Sequence, residues 1–323
     1  MRPIAVIYEN EAWMAPLFSS LERAGAPVER VFANAQAFDP AAAAPDWSLA
    51  VNKVSPSAYL RGHAPSIAFA RQFLPFLEER GIPVVNGTEA FRLETSKALQ
   101  LLLLHRLGIR APAAHVVNDP ARVLDAARGL RPPFIVKPNI GGSGALARRF
   151  GSLDELAANA RAIDLGPDGT GIVQEYLEPA DGSIIRVEFL DGEFLYAIRI
   201  WADKGDDFNL CPADICQVPE TGIVAGAVNE LAGPTASAKK PLRIEAYDPP
   251  GEMIDVVLRI AREGGLDVGG VEYLVAERDG LPYVYDINAL SNFVTEAVSL
   301  LGFDPHERFT RYLIGRARTE AMA

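Results

Sequence analysis

Cysteine is almost absent from this chain: Cys211 and Cys216 are its only two. Without further thiols or a nearby histidine they cannot supply the four ligands of a structural zinc, so two reduced thiols are expected. Histidine is nearly as scarce. His63, His105, His115 and His306 are scattered without metal-ligand spacing, and no serine sits in a nucleophile elbow, so each histidine is expected on the surface or in the core rather than in catalysis. No run of about 18 apolar residues is available to span a bilayer, and the opening MRPIAVIYENEAW carries only a short apolar stretch before acidic residues. A soluble, cytoplasmic protein without a membrane partner is expected. Basic residues are in deficit, 31 Lys and Arg against 42 Asp and Glu, and the net charge of -11 repels a polyanion, which argues against nucleic acid as the main partner.

What the chain has is apolar substance. With 49% hydrophobic residues in 323, it can bury a sizeable core, and the length suits two or three lobes. Residues 3–8, 28–33, 49–54 and 83–86 are short β-branched or apolar runs, with helical periodicity between the first three and before the last. This βαβ pattern predicts an open parallel sheet, with Glu9, Asn10, Asn52 and Lys53 bordering a crevice at the strands' C-terminal ends. A helix from Phe91 to Leu107 is expected to end at Gly108. Residues 113–177 then alternate strands and helices in a small α+β lobe of the size used as a lid. The remainder reads as two hairpins, at 183–201 and 268–288, a helix at 251–264 and two C-terminal helices. Residues 202–250 are rich in Gly, Pro and small polar side chains, the composition of a functional or mobile loop, although Leu210, Ile215, Val218 and Ile223 would also suit a homo-oligomer contact.

The run FIVKPNIGGSGA places Lys137 at the end of an apolar strand, before Gly141, Gly142, Ser143 and Gly144. Glycines let backbone N–H groups approach an oxyanion, and the lysine adds the charge that phosphate needs. In the second hairpin, a three-residue loop at Arg278-Asp279-Gly280 pairs Glu277 with Leu281. Counting back sets Glu272 opposite Asp286, with Asn288 on the same face. Facing carboxylates repel unless a cation lies between them, and two carboxylates with an amide oxygen suit Mg²⁺ holding a nucleotide phosphate; a solvated acidic face is the competing reading. In the first hairpin, a two-residue turn at Asp191-Gly192 pairs Arg186 with Ala197. Arg186, Glu188 and Arg199 then share a face suited to an anion, or simply exposed.

The order Lys97, Lys137 with its glycine loop, QEYL at 174–177, Arg186, Glu272 and Asp286-x-Asn288 resembles the ATP-grasp superfamily over roughly residues 86–317. The similarity is nearest to RimK-type and glutathione-synthetase-like carboxylate-amine ligases. It implies an N-terminal open-sheet domain (1–90), a lid lobe with its connecting helix (91–178) and a C-terminal antiparallel-sheet lobe (179–323). It also implies that Lys97, Lys137, Gly142, Ser143 and Gly144 bind ATP phosphates and that Glu175, Tyr176 and Leu177 meet adenine. Glu272, Asp286 and Asn288 would hold two Mg²⁺ ions, while Arg186, Arg199 and Asn209 would serve phosphoryl or acyl transfer. The implied activity joins a small-molecule carboxylate and an amine, amino acid or peptide, through an acyl phosphate. Departures from the family pattern include Ser96 and Ile184 where acids are common, Glu272 for a more usual Asp, and a missing arginine before Asn209. Specificity is expected to lie in Asn52, Lys53, Tyr59, Arg61 and the 202–250 segment. A phosphotransferase and a non-catalytic ATP-binding regulator are the rival readings.

Overall fold

A computed structural model describes residues 1–142, 144–201, 208, 210–213 and 242–320. Ser143, Asn209 and most of the 202–250 segment therefore lie outside the described residues.

The N-terminal strands β1 (Ile4–Tyr8), β2 (Val28–Phe32), β3 (Leu49–Lys53) and β4 (Val84–Val85) form a parallel sheet in the order β2-β1-β3-β4. β1 and β3 are buried at every position, because helices cover both faces of the sheet. Ile4, Val6 and Tyr8 pack with Leu17 and Leu21 of α1 (Glu11–Arg23), whereas Ala5 and Ile7 pack with Ile67 and Leu74 of α2 (Ala64–Glu79). The helix expected between β2 and β3 is absent: only a 3-10 turn at Ala33–Ala35 forms, in a stretch where Pro40 and Pro45 deny the backbone N–H groups a longer helix would need.

The helix expected over 91–107 is two, α3 (Thr88–Glu94) and α4 (Lys97–Arg106). The break is local chemistry. Ser96 adopts an extended conformation as N-cap and its hydroxyl accepts from Leu99 N at 3.2 Å. Ala90, Leu93, Leu103 and Leu104 of this pair join the core beneath the C-terminal sheet, so the segment grouped with the lid packs instead on the following lobe.

β5 (Ala114–Val117), β6 (Phe134–Pro138), β7 (Arg148–Phe150) and β8 (Gly171–Glu175) form an antiparallel sheet, order β5-β8-β6-β7, with its own core under α5 (Val123–Ala127) and α6 (Leu153–Asn159). The last sheet runs β11-β10-β9-β12-β13. It comprises β9 (Ser183–Leu190), β10 (Glu193–Trp201), β11 (Arg243–Ala246), β12 (Val268–Val275) and β13 (Pro282–Asn288), flanked by α7 (Gly251–Glu263), α8 (Ala297–Leu301) and α9 (Pro305–Glu320). β11 falls where only loop was expected. No helix among the described residues is long and apolar enough to cross a membrane.

Each hairpin carries a register shift that sequence counting cannot see. In β12–β13 the loop is one residue longer than expected, closing with Ala276 N on Leu281 O, but an extra residue at Tyr285 in β13 restores Glu272 to its place opposite Asp286. In β9–β10 a shift between Phe194 and Tyr196 has no such compensation. Arg186 therefore faces Ile198, not Ala197, and Arg199, opposite Ile185, falls on the other side of the sheet from Arg186 and Glu188.

The N-terminal sheet is fastened to the C-terminal lobe by Asn86. Its side-chain amide donates to Val268 O (2.7 Å) and Ala289 O (2.6 Å), and its oxygen accepts from Asp267 N (2.8 Å) and Val268 N (3.3 Å). Asn86 to Ala strands buried backbone groups on both sides, so unfolding free energy should fall by about 3 kcal/mol in chemical denaturation.

Candidate nucleotide and carboxylate site

Lys97 is the first residue of α4, where the helix dipole disfavours a cation. Asp286 of β13 compensates: its carboxylate forms a close ion pair with the Lys97 ammonium, both groups being partly buried. Burial alone would lower the Lys97 pKa, but Asp286 holds it above the ordinary value. Burial would raise the Asp286 pKa, and Lys97 followed by Lys137 brings it below the usual carboxylate range.

Asn139, just beyond β6, joins the two lysine-bearing elements. Its side-chain oxygen accepts from Ala98 N (3.0 Å) and the Ser96 hydroxyl (3.2 Å), while its carbonyl accepts from Lys97 N (3.1 Å). No motif marked Asn139; its position two residues after Lys137 was the available signal. Lys137 lies in the same cleft, and its ammonium is pushed down to about 8 by burial and then by Lys97.

Arg186 is 6% exposed, donating from Nε to Glu188 (2.6 Å) and from Nη1 to Glu272 (2.9 Å) on the neighbouring strand. Gly270 makes room for this cluster, since a Cβ there would lie 2.8 Å from both the guanidinium and Glu188. Glu272 and Asp286 face each other, with Asn288 two residues on; burial raises the Glu272 carboxyl despite Arg186. The Asn288 Nδ2 atom is buried without a hydrogen-bond partner among the described residues. Two carboxylates and the Asn288 amide oxygen match the oxygen-donor set of Mg²⁺, and the unpartnered Nδ2 could donate to a phosphate oxygen.

Two cavities meet at this cluster. The first is lined by Lys97, Lys137, Gln174, Tyr176, Leu177 and Ile184, among others. The second lies toward the N-terminal sheet, against Trp13, Ser57, Arg186, Asn288 and Phe293. Gly142, Gly144, Glu272 and Asp286 border both. Gly144 takes φ +67°, and a Cβ would collide with the Phe208 backbone at 2.4 Å, so the loop closes over the junction only as glycine.

Some expected residues point elsewhere. The Glu175 carboxylate accepts from Ala113 N (2.9 Å) and Arg278 (2.7 Å), leaving its peptide groups, Tyr176, Leu177 and the buried Gln174 to line the cleft. Arg199 pairs with Asp181 at 3.2 Å and stacks on Tyr247, away from the site. Asn52 and Lys53 do not border an open crevice: Asn52 donates to Asn86 O, and Lys53 donates to Ser291 O at 2.6 Å. Glu94, unmarked in the sequence, lines the second cavity, accepts from Ala289 N at 2.5 Å and is pushed up to about 7 by burial.

No family model matches the chain. It is 26% identical over 225 residues to a probable alpha-L-glutamate ligase of Citrobacter koseri, covering 69% of this chain and 63% of that protein, so the match spans less than two thirds of that relative. It is 25% identical to the ribosomal protein bS6–L-glutamate ligase of Escherichia coli, over 78% of this chain and 73% of the relative. Among solved structures, the ATP-grasp ligase PsnB, complexed with a phosphomimetic precursor variant, Mg and ADP, superposes with a TM-score of 0.66 over 97% of this chain and 98% of that one, at 20% identity. The chain has the ATP-grasp fold. In this fold, the cleft beside Lys97 and Lys137 lies between the β5-β8-β6-β7 sheet and the β11-β10-β9-β12-β13 sheet.

Lys137 gives the cleft a pH signature. Its folded pKa, about 8, lies below the ordinary 10.5, so between those values the unfolded chain binds more protons and stability rises with pH. A polyanionic nucleotide reverses the local field and restores the proton. ATP binding at pH 8.5 should therefore take up protons, measured by calorimetry in buffers of different ionisation enthalpy, and Lys137 to Met should abolish the uptake.

Proposed function

We propose that this chain is an ATP-dependent carboxylate-amine ligase. The observation that carries the reading is the meeting of two cavities at one carboxylate pair, flanked by Lys97, Lys137 and Arg186. Such a site can hold a nucleotide on one side and an acid on the other, with charge of the right sign between them.

In this reading Tyr176, Leu177 and Gln174 seat the adenine. Lys97, Lys137 and the 141–144 glycine loop take the phosphates, and Glu272, Asp286 and Asn288 would hold magnesium, proposed as two ions. Magnesium supplies charge neutralisation at the phosphoryl group being transferred. A substrate carboxylate oxygen attacks the γ-phosphorus and the bond to the ADP oxygen breaks, giving an acyl phosphate. Arg186 balances charge on that group while the glycine loop excludes water. The amine nitrogen then adds to the acyl carbon, loses a proton and expels phosphate, leaving an amide. The glutamate ligases among the relatives support an amino acid or peptide as substrate. Within residues 91–178 the β5-β8-β6-β7 sheet serves as the lid, while α3 and α4 pack with the metal-binding lobe, 179–323. Asn209, outside the described residues, is proposed to reach the acyl group.

Hydroxylamine tests the reaction class. With ATP, Mg²⁺ and a panel of acids, a ligase yields ADP and a hydroxamate. ADP formation with a stable phosphate ester instead would identify a phosphotransferase, and nucleotide binding without turnover would identify a regulator.

A further inference from the structure

The second cavity carries a charge pattern that bears on its occupant. Its cationic side chain among the described residues is Arg186, already held by Glu188 and Glu272. The wall away from the metal-binding carboxylates is neutral: Trp13, Ser57, Pro212, Leu290, Asn292 and Phe293. Two cations lie just behind this wall, each engaged by protein groups. Arg61 donates from Nε and Nη2 to Glu9 at 3.2 and 2.6 Å, gives Nη1 to the Ser57 hydroxyl at 3.2 Å, and rests on the Trp13 ring at 4.3 Å. Lys53 donates to Ser291 O. Glu9, 1% exposed, also meets His63 at 3.2 Å, so the Arg61 charge is matched inside the wall.

We propose that the acid substrate is a monocarboxylate whose remaining part is uncharged, packed against Trp13 and Phe293 with its polar groups reaching Ser57 and Asn292. This deepens the ligase reading and rests on it. The reactive carboxylate lies at the magnesium and Arg186 end. A second carboxylate at the far end would be desolvated against a wall that is neutral among the described residues, beside three acidic groups already in place, Glu94, Glu272 and Asp286.

The test uses isosteric acid pairs without an amino group, glutaramate against glutarate and succinamate against succinate, with the whole protein, ATP, Mg²⁺ and hydroxylamine as the amine. Hydroxamate formation then reports the acid alone. The half-amide of the better pair should have the higher kcat/KM by about 100-fold, the scale expected for burying an unpaired charge. A ratio under tenfold, or a preference for the dicarboxylate, overturns the proposal and leaves the ligase reading intact. No hydroxamate from any acid, with ATP binding confirmed by calorimetry, overturns both. Asn292→Lys places a cation on the partly exposed wall and should reduce the ratio at least tenfold; a folded variant with an unchanged ratio also overturns the placement.

Discussion

Replacing Asp286 with Ala is expected to lower magnesium-dependent turnover about 10³-fold, because Asp286 belongs to the proposed metal set and also pairs with Lys97. Magnesium supplies several kcal/mol of charge stabilisation in phosphoryl transfer, and each 1.4 kcal/mol is a factor of ten. In the free protein the same substitution strips Lys97 of its partner, leaving an ammonium at a helix N-terminus. A modest loss of stability should therefore accompany the loss of activity. The two effects separate in a magnesium titration of a variant shown folded by circular dichroism: more metal should not restore turnover. Turnover at the wild-type level would remove Asp286 from the metal set.

Arg186→Met is expected to be the most destabilising of these substitutions. The side chain balances two carboxylates, of which Glu188 is fully buried, and removal leaves both without their cation. Breaking a buried pair from one side costs about 3–5 kcal/mol. The sign with pH is informative. Burial raises the Glu272 carboxyl, and without the arginine it rises further, so the folded variant binds more protons than the unfolded chain and loses stability as pH increases. Urea denaturation should show a larger deficit at pH 8 than at pH 5. A deficit independent of pH would mean that the carboxylates find other partners.

Much of the architecture was legible because period and punctuation agree: apolar runs of strand length, an Asp-Gly turn at 191–192, and glycine where helices end. The Glu272–Asp286 pairing was also legible, but through two offsetting departures, a longer loop and an extra residue at Tyr285. Arg199 shows the same counting without the offset. One inserted residue in β10 reverses the face of every side chain beyond it, and nothing in FLYAIRIW marks where the insertion falls. Asn139, Glu94 and Gly270 were invisible for another reason. Their roles depend on what lies opposite in three dimensions, and although Asn139 stands inside the FIVKPNIGGSGA run, nothing in that pattern marks it as the residue that joins the two lysine-bearing elements.

The Asn86 joint bears on how this chain could be recombined with others. Asp267, next to the backbone groups that Asn86 engages, also accepts from Asn86 N at 2.7 Å and from the Tyr312 hydroxyl at 3.0 Å, linking strand end, hairpin and final helix at one point. A chimaera that swaps the first 85 residues for another parallel-sheet unit would cut through that junction. Grafts that carry residues 86 and 267 together with the incoming sheet should preserve the seating of the sheet on the β12–β13 hairpin, whereas cuts made at the sheet's own boundary should yield halves that no longer shape the cavity between them.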